Sequence, residues 1–524
     1  MMKHIEKSKE INILKEKKPL IILFAVFIYV LMIINTKSVL AGKPVSFICV
    51  YVIVTILLLV VLISTIYSVI DNEIKIEKLF LLCAIPLGII YTLLIPPGIV
   101  PDEWTHMRNV LSLSSQLTGT EKNGKITMRE CEVELYNQQV QSVNSEYYDY
   151  IYTNLISISN QNNYVNIEND SIGFDQIFCY FPSVIATILA RLLSLSAITT
   201  FYLGRIFNFI FYIFICFFAL NKIPFGKLLL FTIMLLPMTV HQMFSLSYDA
   251  VINASAFSCI AYGMYFVYLN DRIKFKDIIF YAFCGLLLLT NKSSTYALIL
   301  GIPVLAKYFN PGNERIALKV KIMIIFVLVL IIFFINLNTI IDSTQVSDIE
   351  SVSGGIVSWA GLPSYTVEDI LFNPINTVGL VINTFIQNGK DYVETAIGSL
   401  LGWLDISISI PIVYCWLGLL FIASFAEKSN GEVFTYRHKL LLLGISLMTG
   451  ILILLGMALI FTPSGYPIIE GVQGRYFIPI IFLLLIPLQN GKVYLNAITN
   501  RCLLLIIPGL SILTVFNLIT KVMI

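Results

Sequence analysis

The chain has 524 residues, 57% hydrophobic and only 13% charged, with a formal net charge of +2. Soluble domains carry roughly 25% charged residues, so a chain with a mean hydropathy of +0.84 must place most of its length in lipid. Near-neutrality leaves no electrostatic footprint for nucleic acid, and nine cysteines without a C-x-x-C pair, with four scattered histidines, suggest no zinc or haem site.

Residues 1–18 form a lysine-rich tail, read as cytoplasmic. No small-residue cleavage site follows the first apolar run, which predicts an uncleaved first helix. Within 19–95, runs near 19–35, 46–70 and 77–95 are long enough to cross about 30 Å of hydrocarbon. Residues 96–176 are a long polar segment rich in Asn, Gln, Ser and Tyr, including Tyr147, Tyr148, Tyr150 and Tyr152, and are expected to fold as an extracytoplasmic lid. Cys131 and Cys179 lie in or beside it, which leaves a disulfide between them open.

The stretch 177–195, interrupted by Pro182 and closed by Arg191, could span or be re-entrant. The positive-inside rule favours no simple span: then Lys222, Lys227, Lys274, Lys276, Arg437 and Lys439 all fall in cytoplasmic loops. Further runs follow within 177–341, near 201–220, 228–246, 250–269 and 322–341, with a broken pair near 278–290 and 293–309. A second outer segment, 342–395, is acidic, with Asp342, Asp348, Glu350, Glu368 and Asp369. Four runs near 406–424, 440–461, 475–490 and 502–520 occupy 396–524. The expectation is an all-α polytopic transmembrane bundle of about 12 to 14 helices.

Asp102 and Glu103 stand a few residues beyond the third run, and paired carboxylates there could act as a base or hold a cation. The plain alternative is N-capping by Asp102 with Glu103 in the first helical turn. Polar residues recur at the outer ends of later runs: Tyr248 and Asp249, Lys292 and Tyr296, Trp403 and Asp405, and Gln473, Arg475 and Tyr476. Ionisable groups at membrane depth are costly. Each has an ordinary reading as a cap, a snorkelling cation or an anchor, but together they converge on one face below two long loops. Arg205 could meet an anionic lipid group or anchor a helix end, and His106 is expected to partner a carboxylate. Two carboxylates are too few to require a metal, although a divalent ion at Asp102 and Glu103 is conceivable.

The string Pro101-Asp102-Glu103 with His106, then Tyr202 to Arg205 with Asn208, Ser245 to Asp249, Lys292 with Tyr296, Leu401 to Asp405, and Gly471 to Phe477 with Pro479 resembles the bacterial membrane family called domain of unknown function 2142. That family is similar in layout to the GT-C class of membrane glycosyltransferases. The departure is Trp104-Thr105, where small residues are expected. The resemblance implies a multi-pass protein of the bacterial cytoplasmic membrane, N-terminus inside, that transfers sugar from a polyprenyl-phosphate donor to a cell-envelope glycan or lipid-linked acceptor outside, with inversion. In that scheme Asp102 or Glu103 is the catalytic base. Arg475, Lys292 and Arg205 hold the donor phosphate, and His106, Tyr248, Asp249, Tyr296, Trp403, Asp405, Gln473 and Tyr476 orient substrate. A glycan polymerase or ligase would share these features. A lipid-linked glycan flippase is the other reading, and no internal repeat supports it.

Overall fold

A computed structural model describes residues 2–70, 74–155, 163–170, 172–173, 176–268, 274–290, 295–305, 355–427 and 434–522. Lys292 and the apolar run 322–341 lie outside the described residues. Lipid offers backbone polar groups no partner, so apolar runs fold as helices that satisfy their own hydrogen bonds. Seven helices among the described residues are long and apolar enough to cross a membrane. The chain opens with α1 (Met2–Thr36, crossing length over Glu16–Thr36), α2 (Val45–Ile70) and α3 (Ile76–Leu94).

The described residues of 96–176 form a layer on the bundle, with α4 (Glu103–Thr118), β1 (Lys125–Arg129), α5 (Glu130–Gln138), α6 (Ser145–Thr153) and β2 (Tyr164–Asp170). β1 and β2 pair antiparallel, with Arg129 opposite Tyr164. α6 is tied to the end of α3, because the Tyr148 and Tyr152 hydroxyls both donate to the Leu93 carbonyl.

Next come α7 (Ile177–Leu192) and α8 (Ala197–Lys222). α7 has only 16 residues, about 24 Å of helix. Its first turn meets α4 where Tyr180 Oη lies 2.8 Å from His106 Nδ1, and its last turn meets α4 again where Arg191 Nη1 donates to Ser115 Oγ. Both ends of α7 therefore touch α4, and the helix is shorter than those long enough to cross a membrane. Cys131 and Cys179 are both free thiols.

A buried ion cluster fastens this layer to the bundle. Glu132 accepts from Arg129 Nε at 2.8 Å and Arg191 Nη2 at 2.7 Å, while Arg129 also donates to Leu195 O and Thr200 Oγ1. Burial alone would raise the Glu132 carboxyl, but the Arg191 and then the Arg129 guanidinium outweigh it and hold the group below the usual carboxylate range.

α9 (Lys227–Met234) and α10 (Pro237–Met243) are a helix broken before Pro237. α11 (Asp249–Tyr268) is buried at the centre, packed on α8 and on α12 (Phe275–Leu289). At the end of the bundle away from Asp249, Lys222 pairs with Asp277 at 2.8 Å and Glu427 accepts from the Gly226 amide.

Downstream, the segment read from sequence as a polar loop is largely helical where described: α13 (Val367–Phe372) and α14 (Pro374–Ile397). Of the acids that suggested a loop, Asp369 does local work, forming a reciprocal capping box with Thr366 at the start of α13. A hairpin of β3 (Ile356–Val357) and β4 (Leu362–Pro363) stands before α13, and a second, β5 (Leu400–Leu401) and β6 (Ile406–Ser407), precedes α15 (Ile410–Ala423), α16 (Tyr436–Phe461), a 3-10 turn (Gly474–Phe477), α17 (Ile478–Leu485) and α18 (Ala497–Val522).

Candidate functional site

The site begins at the junction of α3 and α4. Asp102 adopts a left-handed conformation, φ +62°, and its side chain makes no capping hydrogen bond. A non-glycine residue there costs roughly 1–2 kcal/mol, so surrounding contacts must impose it. The kink sends the two adjacent carboxylates in different directions. Glu103 turns inward and is fully buried. It accepts from Arg205 Nε at 2.8 Å, from the Gly98 amide at 2.9 Å and from the Leu246 amide at 3.0 Å. Arg205 spends its remaining donors on Glu103 again and on the Ile95 and Pro96 carbonyls.

Asp102 turns outward, its side chain half exposed, and accepts from Arg475 Nη2 at 2.9 Å. The Arg475 side chain is 4% exposed, and its Nε lies 3.5 Å from Asp249 Oδ2. Arg475 Nη1 has no hydrogen-bond partner among the described residues. Leaving a buried guanidinium donor unmatched is costly, which marks it as a position awaiting an acceptor.

A polar cavity of about 340 Å³ opens around this pair. One wall is the α4 face carrying Asp102, Thr105, His106 and Asn109. Opposite stand Ser247, Tyr248, Asp249, Arg475 and Tyr476, and Gln176 and Tyr180 close the side. The His106 ring packs edge-on against Tyr248 at 4.9 Å. A second cavity of about 200 Å³ touches Arg475 from its other side and is lined by Asn388, Asp391, Thr395 and Gln473. The arrangement can receive a ligand with one anionic group and several hydroxyls: a cation with a free donor, two carboxylates, and neutral polar and aromatic walls.

The sequence-derived residues divide clearly. Asp102, His106, Tyr248, Asp249, Arg475 and Tyr476 meet at the main cavity, and Gln473 lines the smaller one. Glu103 and Arg205 do not reach it, because each saturates the other inside the protein. Trp403 is used in holding a loop, its Nε1 donating to Gly98 O at 2.8 Å. Tyr296 stands behind the site, donating to Tyr476 O at 2.8 Å. Asp405 departs furthest from expectation: it is exposed and folds back on its own β5–β6 turn, accepting from the Trp403 and Ile406 amides. Partial burial raises its carboxyl above the usual range, against those amides.

Motif reading passes over Asn109, Gln176 and Tyr180, and includes Thr105 and Ser247 without giving either a role. Thr105 and Asn109 were reachable, since they follow Asp102 at helical spacing. Tyr180 carried no local signal. Among the described residues no three His, Cys, Asp or Glu side chains are grouped to hold a metal ion.

A family model described as a predicted membrane protein, DUF2142, matches residues 85–484. No curated protein and no solved structure matches the chain.

Proposed function

The chain belongs to the DUF2142 family of predicted membrane proteins, and we propose that it is a membrane glycosyltransferase drawing sugar from a polyprenyl-phosphate donor at the outer face of a bacterial cytoplasmic membrane. The observation that carries the reading is the Asp102–Arg475 pair: a half-exposed carboxylate against a buried guanidinium with a vacant donor, on a polar cavity. Such a site suits a reaction that needs a proton acceptor beside a phosphate.

In the proposed reaction an acceptor hydroxyl oxygen forms the new bond to the anomeric carbon as the bond from that carbon to the phosphate oxygen breaks. The hydroxyl proton passes to Asp102. The phosphodiester leaves as a phosphomonoester, and Arg475 Nη1 and Nε stabilise the charge that develops on it. Asp249 orients the guanidinium, and His106, Tyr248 and Tyr476 bound the sugar. Attack opposite the leaving group inverts the anomeric centre. Glu103 and Arg205 serve as the internal clamp that sets the Asp102 backbone, a role other than the base and phosphate ligand the motif suggested. The cell-envelope glycan or lipid-linked acceptor belongs to the same proposal.

The test uses the full chain in lipid nanodiscs with a panel of polyprenyl-phosphate sugars and glycan acceptors. New glycosidic bonds with the unaltered protein, absent in Asp102→Asn at equal protein recovery, support the reading. Full transfer by Asp102→Asn removes the base. Movement of lipid-linked glycan between vesicle leaflets without new glycosidic bonds replaces the transferase with a transporter.

A further inference from the structure

α14 carries an exposed apolar stripe. Leu371 and Phe372 at the end of α13, then Ile375, Val378, Ile382 and Ile386, follow one another at helical spacing, and all are exposed: Phe372 by 80%, Ile375 by 86% and Ile386 by 79%. The packed side of the same helix carries Leu380, Thr384 and Tyr392. Leu380 and Tyr392 sit in a cluster with Leu454, Ala458 and Ile469, and Thr384 Oγ1 accepts from the Ile469 amide at 2.9 Å. Exposed polar side chains, Gln387 and Lys390 among them, flank the stripe.

The position of α14 decides what covers that stripe. Before it, Tyr365 donates to Tyr466 O in the loop after α16, and the Tyr365 amide donates to Thr462 O. Near its end, Tyr414 in the first turns of α15 donates to Glu394 at 2.8 Å. Both ends thus rest on the ends of apolar helices, the long α16 and the shorter α15, at the face that holds Arg475, and the helix runs along the rim. The neighbouring helix ends also expose apolar side chains, Ile410 and Tyr414 on α15 and Ile460 on α16. The stripe therefore continues a surface that faces lipid.

We propose that α13 and α14 form an amphipathic helix seated in the headgroup layer of the leaflet on the Arg475 side, with the bilayer itself as the partner of the stripe. The seat is coupled to the site by backbone. Gly474 lies against the Tyr392 carbonyl and the Ala396 amide so closely that a methyl group would overlap them, and Arg475 is the next residue. The bilayer surface thereby sets the depth of Arg475, placing it where the polar group of a membrane-borne ligand lies.

The experiment places one nitroxide at a time in the full chain, in nanodiscs of phosphatidylethanolamine and phosphatidylglycerol, with the exposed Cys49 and Cys415 replaced by Ser. The labelled variants are Phe372→Cys, Ile382→Cys, Ile386→Cys and Gln387→Cys, so loss of one variant to misfolding leaves the comparison intact. Labels at 372, 382 and 386 are expected to collide more with oxygen than with a water-soluble nickel chelate, with the order reversed at 387. Greater nickel access at the stripe overturns the proposal. So does spin–spin broadening between copies at 386, which would make a second chain the occupant.

Discussion

Arg475 donates to Asp102 at 2.9 Å across 373 residues of sequence, and Asp249, 3.5 Å from Arg475 Nε, is the second carboxylate facing the same guanidinium. Asp102 makes no cap, and two of the three guanidinium nitrogens of Arg475 lack a hydrogen bond among the described residues. A purely structural ion pair at such depth would be expected to use its donors fully, as Arg205 does with Glu103.

Arg475→Lys should lower sugar transfer by about 10²-fold or more, because an ammonium cannot span Asp102 and a phosphate with a planar fork. Steady-state transfer rates in nanodiscs check this, with protein recovery as the control. Unchanged rates would exclude a phosphate contact by the guanidinium.

Glu103→Gln should behave differently from its neighbour. Removing that charge leaves Arg205 buried without a counterion, a loss of roughly 3–5 kcal/mol, so thermal unfolding in detergent should move down sharply. Asp102→Asn, half exposed at the cavity, should unfold within a few degrees of the parent. If both variants unfold alike, the division of labour between the two carboxylates is wrong.

Gly474→Ala should push α14 away from Arg475, since the added methyl meets backbone atoms that cannot rotate aside. Overpacking of this kind costs roughly 1–3 kcal/mol. Reduced transfer together with a lowered unfolding temperature is expected. A variant with parental values in both would show that the contact between helix and site is not tight.

Acid should loosen the outer layer through Glu132. Its folded carboxyl titrates below the ordinary value of 4.5 because Arg191 and Arg129 outweigh burial, so its stabilising contribution is complete above that value and is lost as pH falls through the lowered one. Pepsin cleavage within 119–144 should therefore accelerate as the pH drops below 4.5. Glu132→Gln should already be cleaved readily at higher pH and show little further change. Cleavage in the parent that is independent of pH would remove Glu132 as the fastening group.

The membrane character and the places of the long apolar helices are legible along the chain. Hydropathy and basic-residue placement are local properties that lipid and its asymmetry act on directly. The gathering of Asp102, Asp249 and Arg475 is also legible, because each sits at the same end of a run. What the tertiary structure alone decided is which charges face the cavity. Asp102 and Glu103 are chemically alike neighbours, and a left-handed turn at Asp102 sends it out towards Arg475 and sends Glu103 in, where Arg205, Gly98 and Leu246 hold it. α14 was obscured for a related reason. Its polar residues average away its apolar stripe in any linear window, and only the packing of Leu380, Thr384 and Tyr392 fixes which side is left for the bilayer.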